Sequence, residues 1–263
     1  KAVLALRRRR DREETGTTLV EGYEEASLAL DAGVRPIAVY FCPELHAPEE
    51  AELLDRAAAA GAELIRLSRP AFEKVAYRQS PDGWLAVVPA VTTDLAGLRL
   101  DQRRHHAAPL LLVCESVEKP GNLGAMLRTA DAAGATAVLA ADPVTDWGNP
   151  NLVRASKGTV FSVPVASAAS SQLIGWLRDQ GIAVVAATPH TDVPYTAVDL
   201  TGPTAIVVGA EKTGLSQAWL RAATHLVRIP MAGRADSLNV ATSAAIITYE
   251  AVRQRASGLA QVA

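Results

Sequence analysis

The chain has 263 residues, of which 49% are apolar and 5% aromatic, with a formal net charge of −2. That length can bury a large core and implies two domains. The near-neutral charge excludes a global basic field, so any nucleic-acid surface must be a local patch.

In the first part of the chain, strand and helix signals alternate. Residues 17–21 and 37–41 read as strands, with a short helix over 22–32 between them. The Ala/Glu-rich stretch 48–60 is helical by propensity, and 63–67 and 84–88 complete a small α/β unit. Residues 92–108 are polar, carry Arg103-Arg104-His105-His106 and have linker composition. The division read from this is residues 1–92, a linker over 93–108, and a second domain over 109–263. In that domain, apolar runs at 110–114, 136–140, 182–187, 205–208 and 226–229 read as parallel strands buried on both faces. Helix candidates lie at 123–133, 151–158, 171–180 and 216–223. A final helix from 239 to 255 keeps Val240, Ala244, Ile247 and Ala251 on one stripe. Cys42 and Cys114 fall in apolar runs without a histidine cluster, which reads as reduced core thiols and gives no disulfide or metal framework. No apolar run approaches the roughly 18 residues that span a bilayer. Arg7 to Arg10 are followed by acids rather than by the apolar stretch of a secretory leader. The expectation is a cytoplasmic protein without membrane or metal partners.

Three strings in the second domain carry the chemistry. In Glu118-Lys119-Pro120-Gly121-Asn122-Leu123-Gly124, which leads on to Arg128, the Gly-Asn pair suits a strand-to-helix turn and Arg128 falls two turns into the helix. The second, Gly209-Ala210-Glu211-Lys212-Thr213-Gly214-Leu215-Ser216, nearly imitates a phosphate-binding loop, but Leu215 occupies its lysine position. Its glycines would instead allow a close backbone approach to a nucleoside, and Glu211 could satisfy loop N–H groups. In the third, Ile229-Pro230-Met231 precedes Gly233 and Ser237-Leu238-Asn239. Pro230 ends a strand, Ser237 or Asn239 can cap the last helix, and Ile229, Met231 and Leu238 could line an apolar slot for a nucleobase. Loops between a strand end and a helix start are where open α/β sheets bind ligands. A Rossmann-like methyltransferase is disfavoured, because Gly121-Asn122-Leu123-Gly124 is too sparse for the glycine-rich turn such a domain needs after its first strand.

Taken together, the order and spacing of these strings resemble the SpoU (TrmH-like) branch of the SPOUT RNA 2′-O-methyltransferases over roughly residues 110–255. Leu19-Val20-Glu21-Gly22 and the strand–helix order of the first part resemble the L30e-like substrate-binding domain often joined to this branch. The resemblance implies an α/β fold: an L30e-like N-terminal domain, then a catalytic domain with a mostly parallel sheet and a C-terminal trefoil knot. It also implies S-adenosyl-L-methionine as cofactor, held by Thr188, Gly209, Glu211, Gly214, Ile229, Met231, Ser237 and Leu238. Arg128, Asn122, Ser237, Asn239 and Glu211 are its catalytic candidates, the enzyme works as a homodimer with the active site at the subunit contact, and the substrate is RNA, foremost 23S ribosomal RNA. The alternatives are a transfer-RNA 2′-O-methyltransferase and a non-catalytic RNA-binding protein of the same fold. RNA contacts are expected from Lys119, Arg154 and Lys157 and from Arg7, Arg8, Arg9 and Arg10. The commoner explanation of such an arginine run is a solvated helix face balanced by Asp11, Glu13 and Glu14. Tyr23, Tyr77 and Trp84 could stack on unpaired bases or belong to the core.

Overall fold

A computed structural model describes residues 2–100 and 108–259; Arg103 to His106 of the expected linker lie outside the described residues. The chain forms two compact units, one of residues 1–91 with 146–162, the other of residues 92–145 with 163–263.

The first unit contains α1 (Ala2–Ala5), α2 (Arg9–Thr15), β1 (Thr17–Glu21), α3 (Tyr23–Asp31), β2 (Ala38–Phe41), α4 (Glu52–Ala59), β3 (Glu63–Arg66), α5 (Arg69–Val75) and β4 (Trp84–Pro89). Its four strands run in the order β1-β4-β2-β3, with β4 antiparallel to both neighbours and β2 parallel to β3. Leu19, Phe72, Leu85 and Cys42 form the core, joined by Val3 and Leu6. Arg12 is buried; it pairs with Asp146 at 2.6 Å and donates to the carbonyls of Leu6 and Arg7. That ion pair ties segment 146–162 to this unit. The Glu21-Gly22 turn is built around another buried group. The Glu21 carboxylate accepts the Tyr77 and Arg78 N–H groups, and Arg78 Nη2 donates to Glu25 at 2.7 Å. Gly22 is required here, because it has φ +118° and a Cβ would collide with Glu25 and Arg78. Burial pushes the Glu21 and Glu25 carboxyls above the usual range despite the guanidinium beside them.

The second unit opens with β5 (Leu110–Glu115), α6 (Pro120–Ala132) and β6 (Ala137–Ala141). The chain then gives α7 (Pro150–Ala155) to the first unit and returns with β7 (Val165–Ala168), α8 (Ser170–Asp179), β8 (Ala183–Ala187), β9 (Thr204–Val208), α9 (Gln217–Ala222), β10 (His225–Val227) and α10 (Val240–Leu259). All six strands are parallel, in the order β10-β8-β9-β5-β6-β7. The central β5, β6 and β9 are buried along their whole length, as continuous apolar runs in a two-sided sheet must be. Val240, Ala244, Ile247 and Ala251 of α10 are buried on one stripe. Leu95, Leu98 and Leu100, in the stretch read as linker, pack on this unit's core. At the far end of α10, buried Arg255 donates to the carbonyls of Ala108, Pro109, Leu200 and Gly202. Desolvation lowers its pKa.

Cys42 and Cys114 are buried and free, and burial pushes the Cys114 thiol up to about 12, which keeps it unreactive. No described helix is long and apolar enough to cross a membrane. The described residues hold no group of three or more potential metal ligands.

Candidate functional site

Because β10, β8, β9 and β5 are adjacent and parallel, their carboxyl ends release four loops along one edge. Thr188 follows β8, Gly209 follows β9, Ile229 lies just beyond β10, and Lys119 leads from β5 into α6. Thr188 is buried and donates its N–H to the Val227 carbonyl at 2.9 Å, which ties the loop after β8 to the end of β10. The carboxyl ends of such strands are where open α/β sheets bind ligands.

All three strings meet there, in one hydrogen-bonded cluster. Asn122, in the first turn of α6, donates through Nδ2 to Glu211 Oε1 at 3.1 Å. Asn239 donates through Nδ2 to the same oxygen at 3.0 Å and to Asn122 Oδ1 at 3.1 Å. Lys119 Nζ donates to the other Glu211 oxygen at 2.6 Å. These bonds, Lys119's first, hold the Glu211 carboxyl below the usual carboxylate range. Asn239 also caps α10, since its Oδ1 accepts the Ala241 N–H at 3.0 Å and the Thr242 N–H at 3.4 Å. One side chain therefore starts the helix and joins the cluster. The cap is Asn239 and not Ser237, which is exposed with its Oγ 3.5 Å from Asp236. Glu211 bonds side chains of the other two strings in place of the loop N–H groups expected for it.

The close approach expected at Gly209 is made by the loop itself. A Cβ on Gly209 would meet the Gly214 carbonyl and lie 2.5 Å from Leu215 N. The loop folds back through a Gly214 N–H bond to Ala210 at 2.8 Å, with Gly214 at φ +65°. Leu215 is buried, so no phosphate-binding lysine could stand there. Met231 and Leu238 are each 37% exposed and Ile229 is half-buried. Exposed apolar side chains flanking the cluster in sequence suit a nucleoside face, the chemistry that the adenosyl group of S-adenosylmethionine would need.

Arg128 lies on α6, exposed, and makes no hydrogen bond or ion pair among the described residues. It stands outside the Asn122–Glu211–Asn239 cluster.

The other basic candidates are mostly engaged. Arg7 donates to the Val75 and Ala76 carbonyls and covers the Tyr77 ring, Arg8 pairs with Asp11, and Arg9 pairs with Glu13. Arg10 is exposed. Lys157 pairs with Glu24 at 3.0 Å, and Arg154 donates to Asn151 at 3.4 Å. Of the aromatics, Trp84 is core: it stacks on His46 at 4.3 Å and is tilted against Tyr23. Tyr77 is exposed and accepts a hydrogen bond from Asn151.

Sequence reasoning missed Glu115, a buried acid at the end of β5 whose carboxylate accepts the Ser216 N–H at 2.7 Å. Its only signal is an acid closing an otherwise apolar strand.

Residues 109–249 match the model of the SpoU rRNA Methylase family, and residues 1–86 match the MRM3-like substrate binding domain. The chain is 30% identical to the 23S rRNA (guanosine(2553)-2′-O)-methyltransferase RlmP of Bacillus subtilis, over 93% of this chain and 92% of that protein. It is 42% identical to the 23S rRNA (uridine(2479)-2′-O)-methyltransferase of Streptomyces viridochromogenes, a match that spans 53% of this chain and only 50% of that relative. Among solved structures, it resembles the SpoU methyltransferase AviRb from Streptomyces viridochromogenes in complex with the cofactor AdoMet. The TM-score is 0.85 at 32% identity, covering 98% of each chain.

Proposed function

Because the chain belongs to the SpoU rRNA methylase family, we propose that it transfers the methyl group of S-adenosylmethionine to a ribose 2′-hydroxyl of RNA, with 23S ribosomal RNA as substrate. The observation that carries this is the convergence of Asn122, Glu211 and Asn239 on the edge where Thr188, Gly209 and Ile229 leave adjacent strands. When bound, the cofactor supplies an electrophilic methyl on a sulfonium.

Everything else falls to the chain. Ile229, Met231 and Leu238 take the adenosyl face, and the backbone of the folded 209–214 loop walls the crevice. Asn122 and Asn239, fixed by Glu211, present amide groups that orient the ribose. Holding hydroxyl and methyl in line supplies about 7–11 kcal/mol in favourable systems. In this reading the exposed Arg128 guanidinium clamps the RNA phosphate and orients the 2′-hydroxyl. Arg128 has no bond to the cluster among the described residues, and a homodimer in which the site forms at the subunit contact would give it a partner site. An exposed, unpaired Arg128 supports that arrangement, as does Tyr249, 49% exposed on α10. The proposal includes the trefoil knot: with β10 outside β8 and β9 inside it, the chain after β9 must pass β8 to reach the edge. The first unit would bring the RNA, and the setting would be the cytoplasm, where ribosomal RNA is modified.

The test is transfer of labelled methyl to unmodified 23S rRNA, read by nucleoside analysis, with Arg128→Lys and Arg128→Ala beside the wild type. A 2′-O-methylnucleoside is expected. Arg128→Ala should bind cofactor normally and lose at least about 10²-fold in turnover, with Arg128→Lys retaining more. Full turnover by Arg128→Ala would remove both roles assigned to this residue.

A further inference from the structure

We propose that Glu115 is a positioning residue that fixes the 209–216 loop for cofactor binding; the inference rests on the methyltransferase reading of that edge. Glu115 ends β5 and is 5% exposed. Burying a carboxylate is costly unless hydrogen bonds compensate it, and here they come from the loop. Glu115 Oε2 accepts the Ser216 N–H at 2.7 Å, and Oε1 lies 3.3 Å from Ser170 Oγ. Ser170 Oγ in turn accepts from the buried Trp219 Nε1 at 2.9 Å and bonds Asp142. Ser216 is the exit of the loop, at the N-cap of α9, whereas Trp219 lies inside that helix.

The loop's entry is fixed separately, by Gly209 packed on the Gly214 backbone and by the Gly214 N–H bond to Ala210. Both feet are therefore held, and Glu211 stands between them with its carboxylate free to meet Asn122 and Asn239. Ser216 is exposed, so water could serve its amide. A buried carboxylate on that amide does what water cannot: it sets the height of the loop against β5, the strand that also leads to Lys119 and Asn122. A loop ordered in advance spares cofactor binding the cost of ordering it.

The experiment compares Glu115→Ala, Glu115→Gln and Ser170→Ala with the wild type. Backbone hydrogen exchange over residues 209–216 is measured without cofactor, together with S-adenosylmethionine affinity and thermal unfolding. Glu115→Ala should exchange faster across the loop and bind the cofactor about tenfold or more weakly, the scale of a lost hydrogen bond to a charged group. Glu115→Gln keeps an oxygen for the Ser216 N–H and should restore most of both. Ser170→Ala disturbs the same buried network but leaves the Ser216 contact, and should lower the unfolding temperature without weakening affinity. Should Glu115→Ala fail to fold, Glu115→Asp, one methylene too short to reach Ser216, replaces it with the same expectations. Wild-type loop exchange and affinity in the Ala or Asp variant would overturn the proposal, as would loss of affinity in Ser170→Ala equal to that variant's. If the wild type binds no S-adenosylmethionine, the methyltransferase reading fails on its own, while the exchange data still report whether Glu115 holds the loop.

Discussion

Replacing Gly209 by alanine tests the loop's geometry, because the nearest atoms the added methyl would meet are all backbone of the same loop. The new Cβ would stand against the Gly214 carbonyl and 2.5 Å from Leu215 N, whereas ordinary contact begins near 3.4 Å. All these neighbours are backbone, so no side chain can swing aside. The 209–216 loop must shift by about 1 Å, a misplacement that can cost on the order of 10²-fold in rate. Overpacking itself costs about 1–3 kcal/mol, which for a protein of this size lowers the unfolding temperature by about 2–4 °C per kcal/mol. Gly209→Ala should therefore stay folded near room temperature, bind S-adenosylmethionine poorly and methylate RNA about 10²-fold more slowly. Gly214→Ala is the control. Nothing lies within 4 Å of its Cβ, but φ is +65°, so it should lose about 1–2 kcal/mol of local backbone stability without a collision. Calorimetric titration with the cofactor and single-turnover methylation read both variants. Wild-type affinity and rate in Gly209→Ala would refute the argument that this loop's position governs the site.

Two further outcomes follow from the hydrogen bonding. The Glu211 carboxyl is depressed below its ordinary 4.5 chiefly by Lys119. The stabilisation from its charge is therefore present above the unfolded value and lost as pH falls through the lower folded value. Lys119→Ala should move that loss up toward 4.5, seen by NMR titration of the Glu211 carboxyl; an unchanged midpoint would deny the ion pair. Arg255→Ala strands the carbonyls of Ala108, Pro109, Leu200 and Gly202. It should cost about 2–3 kcal/mol in urea unfolding, and Arg255→Lys should recover little, since one ammonium cannot span that fork.

The parts of this protein legible in sequence are those with local periodicity. The runs that became β5, β6, β8 and β9 are apolar from end to end, and the stripe from Val240 to Ala251 repeats at helical spacing. Edge strand β7, Val-Ala-Ser-Ala, has no such run and was not anticipated. Nor were α1 and α5; α2 was legible as a charged helix face, but its buried Arg12 looks in sequence like its solvated neighbours. The three strings were visible as unusual turns, and their family resemblance gave the chemistry. What joins them was not visible, because Glu211 meets Asn122 across 89 positions and Asn239 across 28. The same limit hid Glu115, whose partner Ser216 lies 101 residues on, and the engagement of Lys119, which as an isolated lysine reads only as a phosphate contact.

A crystal of this protein soaked with S-adenosylmethionine would show where the cofactor sits. The adenosyl group should lie between the loops that follow β8, β9 and β10, against Ile229 and Leu238, with the sulfonium methyl turned toward Asn122 and Asn239. A cofactor bound instead over the β6–β7 half of the sheet, or not bound at saturating concentration, would contradict that placement.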